Sequence, residues 1–204
     1  MGRSQTDASA FLATLTWQHH NGAYVDGMLG GSQYRSNVIA SVHNGSLARL
    51  SSDDVLASIE AGYSWRLNER LALQPQLQVS WQELQTDTTT DGHGLEVAID
   101  QAQLLVWRAG LRALLSTPDV TADSVGVTKY VSLNYIDSGG PASHTTISGT
   151  RFETGAFGRL AEVGYDLTVQ ARRGLSIYGD IAVQADVSDS GREGWTLNAG
   201  AKWA

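Results

Sequence analysis

Two acidic side chains, Glu60 and Glu162, occur in near-identical settings, "EAGY" and "EVGY". A pair of carboxylates at a fixed separation is what acid-assisted hydrolysis of a glycosidic bond requires. No separation can be read from sequence, and Arg66, Arg108 and Arg112 are available to neutralise such charges. The plainer reading is therefore two structural carboxylates on a wet surface. "TDTTTDGHG" gathers Asp87, Asp91 and His93, residue types that bind metals, but a solvated loop has the same composition. Ser, His and Asp occur without a nucleophile elbow. "GMLGG" lacks the lysine and the following helix of a phosphate loop. His19 and His20 fall in a turn. These residues describe no enzyme and call for no metal or cofactor.

What positions them is a strand pattern. In "LALQPQLQVSW", Leu71, Leu73, Leu77, Val79 and Trp81 share one parity. Ala72, Gln74, Gln76, Gln78, Ser80 and Gln82 share the other. Successive side chains of a strand point to opposite faces, so the segment predicts a strand with one apolar and one polar face. The preceding run repeats it: Ile59, Ala61, Tyr63, Trp65 and Leu67 against Ser58, Glu60, Gly62, Ser64 and Arg66. Asn68-Glu69-Arg70 between them predicts a tight hairpin turn. Pro75 removes a ladder donor inside the second strand and predicts a local bulge or kink.

Nine such stretches can be marked, at about 10–18, 23–37, 55–67, 71–83, 102–116, 127–137, 158–171, 175–187 and 195–203. Their connections alternate in length. Short ones ("HHNG", "NER", "RRG") alternate with long polar ones such as "VIASVHNGSLARLSSDD" and "SGGPASHTTISGTRFETGAF". The chain of 204 residues has no cysteine, three prolines and a formal net charge of −7, which argues against binding nucleic acid through phosphates. No run approaches the ~20 apolar residues of a transmembrane helix, but barrel strands of ~9–11 alternating residues escape that test.

The apolar parity also carries the large rings. Trp17, Trp65, Tyr165 and Trp203 lie toward the tight-turn end; Trp81, Trp107 and Trp195 lie toward the long-loop end. Two aromatic belts bounding an apolar band are the interface girdles of a membrane barrel. The other parity holds Glu60, Arg66, Arg108, Arg112, Glu162, Asp166, Asp180 and Lys202 among Gln, Ser and Thr. The expected fold is all-β, an antiparallel up-and-down transmembrane barrel forming one domain over 1–204. The apolar parity faces lipid, and Gln74, Gln76 and Gln78 line the interior with those charges.

"SIEAGYSW" followed by "LALQPQLQVSW" resembles the Ser-x-Glu-x-Gly-Tyr … Leu-x-Pro-Gln-x-Gln pattern of the autotransporter β-domain, the outer-membrane translocator of type V secretion. "GAYVDGMLGGSQY" is similar to the family's Tyr-Val-Asp strand, and "AEVGYDLTV" and "GWTLNAGAKW" to its late strands. The resemblance implies a twelve-stranded barrel with a helix in its pore, of which these nine strands match the last nine. The first three strands and the pore helix would then precede residue 1. It implies an outer-membrane location in a Gram-negative bacterium, secretion and surface anchoring of a passenger, and partners in the lipid bilayer, the barrel-assembly machinery and the passenger itself. In some members, lumenal acids assist self-cleavage at an Asn of the linker helix, and Glu60 sits on a matching strand. Such barrels commonly end on an aromatic residue, whereas here Trp203 is followed by Ala204.

Gly62 beside Tyr63, and Gly164 beside Tyr165, predict dents in the wall where a neighbouring strand's ring can pack, or points where curvature is relieved. Nine strands place the first and last in parallel, so the wall either closes through a parallel seam or leaves two edges unpaired. Two rival readings stand beside the translocator. One is a small porin-like or adhesin-like barrel; the other is a soluble β-sandwich or lipocalin-like binder with its apolar parity inside.

Overall fold

The computed structural model describes residues 2–40, 45–90, 96–116, 126–141, 143–147, 149–154, 158–170, 175–188 and 192–203. Fourteen strands follow in chain order: β1 (Gly2–Gln18), β2 (Ala23–Ala40), β3 (Gly45–Tyr63), β4 (Trp65–Arg66), β5 (Leu71–Thr86), β6 (Thr89–Thr90), β7 (Glu96–Ile99), β8 (Ala102–Ser116), β9 (Gly126–Gly139), β10 (Ser143–Ile147), β11 (Thr150–Thr154), β12 (Gly158–Gln170), β13 (Leu175–Asp186) and β14 (Gly194–Trp203). The main sheet runs β1-β2-β3-β5-β8-β9-β12-β13-β14, with β4 continuing the β3 side against β5. Each strand pairs antiparallel with the next, which makes an up-and-down half-barrel. The nine wall strands are those marked by alternation.

Two tight turns have local causes. Gly22 takes φ 102°, and a side chain there would meet the Ser64 carbonyl. Ala23 N–H donates to Asn21 Oδ1 at 3.0 Å beside it. In the second turn Asn68 Oδ1 accepts from Arg70 N–H and Leu71 N–H, each at 2.9 Å, an Asx turn that folds the hairpin without glycine. The rings of His19 and His20 lie 4.0 Å apart, tilted by 42°, on the first turn.

At the opposite end the structure departs from the sequence reading. β1 begins at Gly2 and β3 at Gly45, so much of the expected loop "VIASVHNGSLARLSSDD" is ladder, with a register shift at Val38/Ile39. The two longest connections also contribute a second sheet, β11-β10-β7-β6. Its strands are two to five residues long, too short to show a period, so alternation misses them. Asp87 lies next to this region, where its N–H donates to Ser51 O at 2.9 Å. Asp91 and His93 fall outside the described residues.

Pro75 brings no bulge. Register runs unbroken through Pro75↔Leu111 on the β8 side. On the other side β3 pairing stops at Gly62↔Gln76 and resumes in the same register at Trp65↔Leu73. The missing N–H is met by a gap in the ladder rather than by an extra residue.

The partition of side chains is inverted relative to a soluble protein. Among the described residues only Tyr24 and Leu160 are buried apolar side chains, whereas Glu60, Gln76, Ser132 and Asn134 are buried polar ones. Leu15, Leu77, Leu133, Leu197 and other large apolar residues are exposed, Leu15 by 77%. Apolar area left in water costs roughly 25 cal/mol per Å², so a face of this kind needs a non-aqueous surrounding. This removes the soluble rival, which requires the apolar parity inside. β1 and β14 do not pair, so each leaves one edge free.

Candidate functional site: the polar inner wall

One register row explains how the polar face is built. It crosses the wall as Tyr24↔Gly62↔Gln76↔Gly110↔Asn134↔Glu162↔Gln184. Glycines at two of these positions let their neighbours' side chains lie flat. A Cβ on Gly62 would collide with the Tyr24 ring, and one on Gly110 would collide with the Asn134 amide. The side chains meet above them. Tyr24 O–H donates to Glu60 Oε1 at 2.8 Å and approaches Gln76 Oε1 at 3.5 Å. Gln76 Nε2 donates to Asn134 Oδ1 at 3.3 Å, and Asn134 Nδ2 donates to Glu162 Oε1 at 2.8 Å. Gln184 Nε2 completes the belt on Glu162 Oε2 at 2.7 Å.

The adjacent row supplies charge. Glu60 is paired with Arg108 at 2.6 Å and with Arg112 at 3.8 Å. Arg112 also lies over the Tyr130 ring, 5.6 Å from its centroid. Gln78, between Glu60 and Arg108 in register, turns aside to donate to Ser58 Oγ at 2.8 Å. A carboxylate this buried is tolerable only with its lone pairs occupied, and here phenol and guanidinium groups occupy them.

Glu60 and Glu162 thus sit at separate points of the belt. The polar relay through Tyr24, Gln76 and Asn134 lies between them, and each carboxylate has its own partners. Arg66, offered by the sequence as a neutralising group, lies instead in β4 and is exposed near the first tight turn. Gln74 shares the polar face and faces Arg112 in register. Asp166 and Asp180 are directly opposite each other, with Asn198 Nδ2 donating to Asp180 at 2.8 Å. With Arg108, Arg112, Tyr130 and Asn134 these two border a hollow of about 300 Å³. Lys202 is exposed on the same parity, opposite Ser176.

The dent at Gly62 holds a ring from the neighbouring strand, while the one at Gly164 holds the Ser132 hydroxyl. A second ring-on-glycine pair, Tyr178 over Gly200, was missed from the sequence. Counting the β13–β14 register from "SDSGREG" would have aligned it. Asn134 and Gly110 were missed as well; only cross-strand register brings them to the belt. On the outer face Trp17, Trp65, Trp195 and Trp203 are more than half exposed, and Trp81 and Trp107 somewhat less. Tyr63 and Trp65 meet edge-on at 6.5 Å.

Comparison with known proteins agrees with this geometry. The family model described as autotransporter beta-domain matches residues 1–182. The chain is 27% identical over 207 residues to the probable autotransporter YfaL of Escherichia coli (strain K12), covering 98% of this chain and 16% of that protein. It thus spans about a sixth of the length of that curated relative. Among solved structures, the transport unit of the autotransporter AIDA-I from Escherichia coli superposes with a TM-score of 0.78 at 18% identity, over 100% of this chain and 67% of that one. The beta domain of the Bordetella autotransporter BrkA gives 0.72 at 19% identity, over 98% and 74%. An inverted wall of antiparallel strands, matched by family and by fold, places the molecule in the outer membrane of a Gram-negative bacterium, and the chain belongs to the autotransporter beta-domain family.

Proposed function

We propose that this wall is part of the conduit through which a passenger polypeptide crosses the outer membrane, with help from the barrel-assembly machinery, and to which it is then anchored. The observation that carries the reading is the self-satisfied polar face. Tyr24, Glu60, Gln76, Asn134, Glu162 and Gln184 bond chiefly to one another. A wall whose donors and acceptors are already paired solvates a passing chain without holding it, because any new hydrogen bond must displace an existing one. On this reading Gln74, Gln78, Arg112, Asp166, Asp180 and Lys202 line the lumen, and the outer face meets lipid. No bond-making step is assigned to the wall.

Site-specific photocrosslinking tests it. With a passenger stalled in transit, a crosslinker at Gln78 should capture the passenger and one at Leu77 should not. Capture from neither Gln78 nor Gln74 would remove the conduit reading.

A further inference from the structure

The two longest connections are joined by more than backbone pairing. β7 lies between β5 and β8, whereas β10 and β11 lie between β9 and β12, so the small sheet ties separate parts of the chain together. Its ladder sets Thr145 opposite Ile99 and His144 opposite Glu153. Asp100, one residue beyond β7, donates its N–H to His144 O at 2.8 Å and so continues the register. Asp100, His144 and Glu153 thus form one cross-strand row, an imidazole between two carboxylates.

Both ring nitrogens have a carboxylate to face. His144 Nδ1 lies 3.7 Å from Asp100 Oδ2, and Nε2 lies 4.0 Å from Glu153 Oε2. The imidazole is mostly covered, at 21% exposure, while both carboxylates are more than half exposed. A neutral imidazole carries one N–H, so one carboxylate would face a ring lone pair; only the imidazolium offers a donor to each. A metal ion fits less well, because one bound at either nitrogen would serve only the carboxylate on that side of the ring. The other charges facing the row are Arg151 of β11, 3.9 Å from Asp100 Oδ2, and Glu96, on the same parity of β7 as Asp100. β6 contributes only threonines, and β10 has no other charged residue.

We infer that Asp100, His144 and Glu153 form a proton-operated clasp: protonation of His144 fastens the connection between β5 and β8 to the one between β9 and β12. The cationic ring gains partners in the folded sheet, so its contribution is present at low pH and lost as pH rises. The clasp is closed where imidazole is charged and carboxylates are still ionised, between about pH 4.5 and about pH 6.5. Long loops of such barrels are external, so the proton comes from the medium outside the cell. The clasp stands on the second sheet alone and does not depend on passage of a chain through the wall.

Hydrogen exchange of the full-length protein in nanodiscs, read by mass spectrometry, tests it. After correction for intrinsic rates, peptides covering β10 and β11 should exchange about threefold more slowly near pH 5.5 than near pH 8, the gain expected of partly exposed ion pairs. Peptides of β12 and β13 should show no such difference. His144→Gln should abolish it, and Asp100→Asn should shrink it. His144→Lys, charged at both pH values, should exchange slowly at both. Equal protection of the wild-type sheet at the two pH values, or faster exchange at the lower one, overturns the clasp. So does a difference that survives in His144→Gln. Gel heat-modifiability confirms that each variant is folded before its exchange is read.

Discussion

The ring of Tyr24 lies across Gly62, its register partner on the next strand, and its hydroxyl reaches Glu60 Oε1 at 2.8 Å. The glycine is thus the floor under the first link of the inner belt. Gly62→Ala would push the ring off and loosen the Tyr24–Glu60 bond together with it. The expected cost is about 1–3 kcal/mol, as for other overpacked sites. The midpoint of unfolding in denaturant, followed by the gel shift of the folded barrel, measures it. Combining Gly62→Ala with Tyr24→Leu should recover part of the loss; strict additivity of the two would show that they do not act together.

Glu60 and Glu162 should respond differently to the same change. Glu60→Gln leaves Arg108 and Arg112 facing a neutral amide inside the wall, and loss of one member of a buried pair costs roughly 3–5 kcal/mol. Both guanidinium groups are partly exposed, which puts the expectation at the low end of that range. Glu162→Gln removes no ion partner among the described residues and costs about one hydrogen bond, on the order of 1 kcal/mol, since its amide can still accept from Asn134 or Gln184. Equal unfolding midpoints for the two variants would contradict this account of the charges.

How far this could be read beforehand depended on periodicity. Leu71 to Trp81 alternates without a break, and the strand, its hairpin turn and its two faces all follow from that run. The rim ends of β2 and β3 lack strict alternation, and the strands of the small second sheet are two to five residues long, too short to carry such a signal. Gly62 could be singled out because a tyrosine follows it. What lies over it could not, because Tyr24 is 38 residues away and only register joins them. Asn134 has the same history. The bulge expected at Pro75 is absent for a related reason: a proline's cost falls on one side of a strand, and sequence does not say which side.

The free edges of β1 and β14 give a third prediction. In lipid each unpaired backbone group costs several kcal/mol, and in water such edges pair with other chains. These 204 residues expressed alone should therefore run as heterogeneous assemblies. A monodisperse, heat-modifiable monomer would mean that the edges meet each other, through the parallel seam that equal strand direction requires.

Charge placed on the two faces should carry unequal costs. Leu77→Arg replaces a side chain that is 51% exposed on an otherwise apolar face, and should cost about 2–4 kcal/mol in a bilayer. Gln78→Arg, on the polar face beside Glu60, should cost much less. Unfolding midpoints of the two variants in the same lipid make the comparison.

The central claim is that adjacent residues 77 and 78 face lipid and polar lumen respectively. Spin labels at the two positions in lipid-embedded protein test it most directly. A label at Leu77 should relax with oxygen dissolved in the bilayer, and one at Gln78 with a water-soluble nickel chelate. The reverse pattern, or equal access of the chelate to both labels, would contradict an inverted membrane wall.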